Sequence, residues 1–393
     1  MKKITAIGSF LVGALLVLLL VMPSLQRLNE LEHAGAATGN KPAAEQATGG
    51  ASGQASGNDL VPASYQPVGA ERIVASGKAK QLDPKNPLLK HGDVLKVGIL
   101  QFMEHPSLDD IRYGLLDELA KRGYINGVNM QIEYQQGQGD QNLLKTIADN
   151  FMADGKDLLI GIATPAAQAL MNSAQGDVPV VFAGVSDPVG AGLVADLKKP
   201  GKLVSGATYA NNNADTLKLI KEIQPDAKRL GVLYNTSEQN AVQQVQSIRQ
   251  LAPSEGFTLK EATITSTNDL KQVAEQLATE VDAIYLPQDN TIASSLDTLV
   301  PTTTAHKVGL YPTVDAMVQS GCLATVGLNQ YLWGADSGDV AADVIEGADL
   351  ATYPVKVSTI SNKFINSTQA AALGMTIPPA VSKDAIDMNP AKK

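Results

Sequence analysis

An uninterrupted apolar run, Leu158-Leu159-Ile160-Gly161-Ile162, which turns at Thr164 into Thr-Pro-Ala-Ala-Gln-Ala-Leu, constrains this chain more than any other stretch. A run of that length fits a strand buried on both faces, as in a parallel sheet covered by helices. The residues that follow open a helix. Thr164 carries a hydroxyl able to accept a bond from a first-turn N–H, and Pro165 sits where a missing N–H costs nothing. A helix that starts at a strand's carboxyl end directs free N–H groups and the positive end of its dipole into the space above the sheet, where a carboxylate or phosphate is held. The stretch predicts a binding site and leaves the activity open.

A length of 393 residues accommodates two or three domains, each with a core of its own. The formal charge of -9 offers no basic face to nucleic acid. A single cysteine, Cys322, excludes an internal disulfide and a cysteine zinc cluster, and His33, His91, His105 and His306 lack an HExxH spacing, so no metal or other cofactor is expected. Lys2 and Lys3 precede an uncharged run from Ile4 to Met22. At about 1.5 Å per residue this nearly spans a hydrocarbon core of roughly 30 Å. It exceeds the apolar region of a cleaved signal, about 7 to 15 residues, and no cysteine follows it to take a lipid. The expectation is a retained anchor over 1–33, with the folded domain on the extracellular side of the cell membrane. Residues 34–93, rich in Ala, Gly, Ser and Gln around Gly49 to Gly57, read as a flexible linker.

From 94 onward strand and helix alternate. Strands are predicted at 95–102, 130–134, 158–162 and 179–183, with helices at 106–122, 140–153 and from 164. After 204–209 the pattern restarts: helix 214–223, strand 229–234, helix 241–251, strand 258–262, helix 268–278, strand 283–286, a helix to about 300, and strand 307–311. The halves echo each other, LKVGILQF with RLGVLYN and DLLIGIATPAAQAL with DAIYLPQDNTIASSL. The fold class is therefore α/β, two Rossmann-like lobes with parallel sheets joined by hinge crossovers. The tail, strand-like at 322–328 and 355–358 and helical at 335–345 and 367–373, fits neither lobe alone. Crossings are placed near 205–208, 323–328 and 350–354, which assigns 94–206 plus 323–350 to one lobe and 207–322 plus 351–393 to the other.

In such sheets ligands lie beyond the strands' carboxyl ends, and two facing lobes make the cleft between them the expected site. Its predicted lining is Gln101, Glu104 and His105, then Thr164, Pro165 and Ala166, then Ser186 and Asp187 from one lobe. The other contributes Asn235, Glu238 and Asn240, then Asp289 and Asn290, then Tyr311. Donors for a carboxylate and acceptors for an amine suit a zwitterion. Plainer roles compete: Thr164 and Ser186 as helix caps, Asp187 before Pro188 as a turn opener, Asp289 and Asn290 as an Asx turn or cap, Glu104 and His105 as a solvated loop pair, Tyr234 and Tyr311 as packing. Gly190-Ala191-Gly192-Leu193-Val194-Ala195 matches GxGxxA but follows the fourth strand, the wrong context for a dinucleotide. No P-loop, GxSxG or triad is present.

The order VGILQFMEHPSLDDIRYGLLDEL, ATPAAQAL, PVVFAGVSDPVGAGLV, GVLYNTSEQN, YLPQDN and ATVGLN resembles the substrate-binding proteins of ABC transporters, in particular the tryptophan and aromatic amino acid binders with a type I periplasmic-binding-protein fold. The resemblance covers about 94–380. It implies an extracellular solute receptor, not an enzyme, that closes on an L-amino acid, tryptophan first, and delivers it to permease and ATPase subunits. It further implies that Thr164, Ser186 and Asp187, with Asn235, Asp289 and Asn290 opposite, hold the α-carboxylate and α-amine. A monomer is expected. The alternatives are another solute on the same scaffold (a branched-chain amino acid, a purine or a sugar), a sensor domain, or an enzyme using Glu104, His105 or Asp187.

Overall fold

The computed structural model describes residues 79–89, 94–210 and 212–388; the expected anchor and most of the linker lie outside them. Alternation of buried strands with amphipathic helices builds the first lobe from β1 (Leu95–Gln101), α1 (Pro106–Lys121), β2 (Met130–Gln136), α2 (Gln141–Ala153), β3 (Leu158–Ile162), α3 (Thr164–Ala174), β4 (Val180–Ala183) and β5 (Val204–Tyr209). The strands run parallel in the order β5-β4-β3-β1-β2. Every residue of β3 is buried, as its unbroken apolar run requires.

The second lobe repeats this wiring. It contains α4 (Asn213–Ile223), β6 (Arg229–Asn235), α5 (Gln239–Leu251), β7 (Thr258–Ile264), α6 (Leu270–Ala278), β8 (Ala283–Tyr285), α7 (Asn290–Ala293), α8 (Leu296–Ala305), β9 (Gly309–Tyr311), α9 (Asp315–Gln319) and β10 (Ala324–Gly327). Its sheet order, β7-β6-β8-β9, is the β2-β1-β3-β4 order again, with parallel pairs throughout. The echo extends to single side chains: Asp157 before β3 accepts from Lys96 N at 2.8 Å, and Asp282 before β8 accepts from Lys228 N and Arg229 N, both at 2.8 Å. Each lobe thus has a switch point, between β1 and β3 and between β6 and β8, where successive connections leave in opposite directions.

The remaining chain shuttles between lobes, and its pairings shift the expected boundaries. β10, expected with the first lobe, pairs antiparallel with β12 (Asn362–Ile365), which pairs parallel with β13 (Ala385–Asp387) beside the second lobe; Leu323 N also donates to Leu310 O of β9. The long helix α10 (Gln330–Ile345) does return to the first lobe. So does β11 (Lys356–Ser358), expected in the second, which extends the first sheet by pairing with β5. The crossings therefore fall between β5 and α4, β10 and α10, and β11 and β12. A short strand's apolar residues do not say which open sheet edge will pair with it. Two further corrections are local. The helix expected up to about 300 is two helices, α7 and α8, and residues 79–89, read as linker, lie against the first lobe: Lys80 N donates to Gly123 O at 2.9 Å and Leu82, Leu88 and Leu89 pack on its core.

Helices α1 and α10 meet backbone to backbone. A Cβ on Gly334 would stand 1.9 Å from Ile111 O, and one on Gly114 1.9 Å from Tyr331 O. This contact seats Trp333 wholly inside the first-lobe core, its Nε1 donating to Ala207 O at 2.9 Å and its ring edge-on to Tyr209.

Candidate functional site between the lobes

The strand-to-helix turn at Thr164 folds as expected in outline and differently in detail. The residue preceding α3 is Ala163, buried, with φ of +77°, a conformation that L side chains rarely adopt. Thr164 is already the first helical residue, and no side chain caps this helix. The reading of Thr164 as a cap is thereby corrected: its hydroxyl and the first-turn amides, with Pro165 and Ala166 buried beside them, are left for something else.

On the second lobe the acidic residues are already occupied. Glu238, 2% exposed, accepts from Asn290 N at 2.9 Å, Asn290 Nδ2 at 2.6 Å, Thr291 N at 2.8 Å and Thr291 Oγ1 at 2.8 Å. Asp289 accepts from Asn235 N at 2.5 Å and from Ile292 N at 3.0 Å, capping α7 and splinting it to β6. Burial and the neighbouring Glu238 push the Asp289 carboxyl well above its usual range. Asn235 completes the cluster by donating from Nδ2 to Thr291 Oγ1 at 2.9 Å.

From this cluster a chain of bonds reaches the first lobe at both ends. At one end Asn290 Oδ1 lies 3.2 Å from His105 Nε2. At the other, Asn240 Nδ2 donates to Gln288 O at 2.6 Å, Gln288 N to Gln244 Oε1 at 2.6 Å, and Gln244 Nε2 to the Tyr209 hydroxyl at 3.4 Å. The lobes are latched further at the rim, where Gln239 donates to Gly190 O at 3.0 Å and accepts from Gln168 Nε2 at 3.0 Å. Carbonyls of the GxGxxA segment thus serve as part of an inter-lobe clasp.

Within this closed arrangement several buried polar atoms have no partner, among them His105 Nδ1, Asn240 Oδ1, Gln288 Oε1 and Thr313 Oγ1. They follow β1, β6, β8 and β9, all at strand carboxyl ends. Buried polar atoms are ordinarily paired, so unpaired ones at these strand ends are candidates for a guest's polar groups.

Other predicted residues sit apart from this cluster. Gln101 is fully buried and donates to Met103 O and Asp109 Oδ1 within its own lobe. Glu104 is exposed while His105 is buried, so they form no acid/base pair. Asp187 is exposed and accepts from Gly190 N at 2.8 Å, the turn role; Ser186 is half-buried and its carbonyl accepts from Thr208 Oγ1 at 3.1 Å. Tyr311 is buried in the second-lobe core, donating to Gln224 Oε1 at 2.7 Å, and Tyr234 donates to Glu261 at 3.0 Å. The sequence reading missed Tyr209 and Gln244. An aromatic at the end of a predicted hinge strand was the available signal, given that aromatics make up only 4% of the chain.

A second inter-lobe contact carries a pH dependence. Asp110 on α1 faces Asp315 on α9, whose carboxylate accepts from Gln330 N at 3.1 Å and Asn329 Nδ2 at 2.6 Å where α10 begins. Burial, then Asp315 and Asp109, raise Asp110 from 3.8 to about 7, and burial raises Asp315 to about 6. The folded protein keeps a proton on Asp110 that the unfolded chain releases above 3.8, so this group's contribution is present below 3.8 and is lost as pH rises through about 7. Asp110→Asn is expected to raise the melting temperature at pH 8 and leave it unchanged at pH 4. Equal melting curves of variant and wild type at both pH values would contradict the assignment.

Two α/β lobes closed over unpaired polar atoms at their switch points define a solute-binding protein. The profile of the family described as ABC transporter substrate binding protein matches residues 96–389, and the chain belongs to that family, a family of solute binders and not of enzymes. A tyrosine-binding protein of Clostridioides difficile is 35% identical over 301 residues, 77% of this chain and 85% of that one. Among solved structures, an ABC domain in complex with L-Trp from Streptococcus pneumonia is 40% identical, with a TM-score of 0.72 over 75% of this chain and all of that one. The ligand-free, open structure of a substrate-binding protein with adhesive properties from Clostridium difficile is 36% identical, covers 75% of this chain and 99% of that one, and superposes with a TM-score of 0.58. At similar identity the superposition on the L-Trp complex is the better of these two, 0.72 against 0.58. The fold is that of the type I periplasmic-binding proteins.

Proposed function

We propose that this protein is the receptor of an ABC importer for an L-aromatic amino acid, tryptophan in the first place, bound in the inter-lobe cleft. The observation that carries the reading is the pairing of an uncapped helix start at Thr164 with unpaired acceptors across the cleft, a match for the two ends of a zwitterion. Its support is the L-Trp and tyrosine binding named for the relatives. Closing the lobes removes water, and charge-assisted bonds strengthen in the lower dielectric. Tyr209, buried against Trp333 and tied to Gln244, supplies an aromatic surface at the hinge side. The folded domain is held outside the cell by the 1–33 segment and passes its ligand to permease and ATPase subunits.

Isothermal titration with the twenty amino acids, a set of purines and a set of sugars tests this: L-tryptophan or L-tyrosine is expected to bind, with branched-chain amino acids, purines and sugars silent. Thr164→Val should weaken binding by about 1 to 3 kcal/mol, since it strips a donor from a desolvated carboxylate. Binding of a purine or sugar alone overturns the assignment. Recovery of the full chain from washed membranes after alkaline extraction tests the anchor.

A further inference from the structure

Resting on the amino acid reading of the cleft, we propose that the ligand's α-ammonium is held by His105 Nδ1 from the first lobe and Asn240 Oδ1 from the second, and not by the acidic residues Asp289 and Glu238. Glu238 is filled, its two oxygens accepting four bonds from Asn290 and Thr291, and each Asp289 oxygen already accepts a backbone N–H on a residue 2% exposed. The two acceptors are identified by the network around them. Asn240 Nδ2 donates to Gln288 O and lies 3.4 Å from Glu238 Oε2. Reversing that amide would set an oxygen against two acceptors, so Oδ1 is the free atom, on a side chain 6% exposed.

His105 is settled by the same logic. Asn290 Nδ2 is spent on Glu238 at 2.6 Å, which turns Asn290 Oδ1 toward His105 Nε2. Nε2 therefore carries the hydrogen. Burial keeps the ring neutral, lowering its pKa against the opposing influence of Asn290, Asp109 and Glu238. The other nitrogen, Nδ1, is then an acceptor, buried and unpartnered, on a residue 6% exposed. An ammonium has three donors in a tetrahedral spread, and Gln288 beside Asn240 offers Oε1, also unpartnered, for the third. His105 and Thr164 follow β1 and β3, which are paired neighbours, so both stand at the same edge of the first sheet. Because the acceptors come from opposite lobes, the ammonium itself bridges them.

The test pairs a variant with a ligand. His105→Gln keeps an N–H for Asn290 and removes the Nδ1 acceptor. Affinities of wild type and variant are measured by calorimetry for L-tryptophan and for 3-indolepropionate, which keeps the carboxylate and lacks the amine. The variant is expected to bind L-tryptophan roughly 10- to 100-fold more weakly and 3-indolepropionate as the wild type does. In parallel, the Nδ1 resonance of 15N-labelled His105 should shift toward a hydrogen-bonded value with L-tryptophan and stay put with 3-indolepropionate. Equal weakening of both ligands, or of neither, together with a silent resonance, overturns the proposal. If the wild type binds a different amino acid, only the ligand's identity was wrong, and the same comparison is made with that amino acid and its deaminated acid. If it binds no primary amine, both readings fall.

Discussion

Replacing Glu238 by alanine is expected to abolish ligand binding and to destabilise the fold by about 3 to 5 kcal/mol. The carboxylate is the hub on which Asn290 and Thr291 hang by both backbone and side chain. Its removal leaves several buried donors without acceptors, and each such group costs about 1 to 3 kcal/mol if nothing replaces its partner. It also frees Asn290, whose Oδ1 holds His105 across the cleft. Two measurements therefore move together: the urea midpoint falls and titration heat disappears. A variant that unfolds with the wild-type midpoint would show that water substitutes for the carboxylate and that the hub is dispensable.

Gly334→Val should strike the first lobe harder than any cleft substitution. The added carbon would stand 1.9 Å from Ile111 O and 2.8 Å from Ile111 Cα, and both are backbone of α1, so no rotamer change relieves the clash. Either α10 moves away, carrying Trp333 out of the core, or α1 does. The expected cost is about 3 kcal/mol or more, read as a melting temperature lowered by more than about 5 °C. The second lobe has a separate core around Val232, Tyr285 and Tyr311, so its secondary structure should persist after the first lobe melts, giving two resolved calorimetric transitions. One cooperative transition at the wild-type temperature would mean that the helices do not meet as closely as described.

The alternation of strand and helix was legible because its causes are local. A strand buried on both faces needs an unbroken apolar run, and a helix on a sheet needs an apolar stripe. β1, α1, β3 and α3 show one or the other within about fifteen residues, and the repeated order of the two sheets follows from the same signals read twice. Switch-point loops could be named for the same reason, and His105, Thr164, Glu238, Asp289 and Asn290 do stand there. Tyr311 was misleading because the end of a strand does not say which way an aromatic ring turns; here it turns inward to Gln224.

Partnership between distant residues was not legible. Glu238 reads as a free carboxylate until Asn290 and Thr291, more than fifty positions along, are seen to fill it. His105 reads as a solvated loop histidine until Asn290, 185 positions away, gives its ring a tautomer. What the chain alone determined is two parallel α/β lobes whose strand ends face a common space, since burial and helical period act over short stretches. Which lobe holds β10, α10 and β11, which acids are spent on the scaffold, and which acceptors remain for a guest were decided by the tertiary structure, because a hydrogen bond is satisfied by whatever the fold brings within 3 Å.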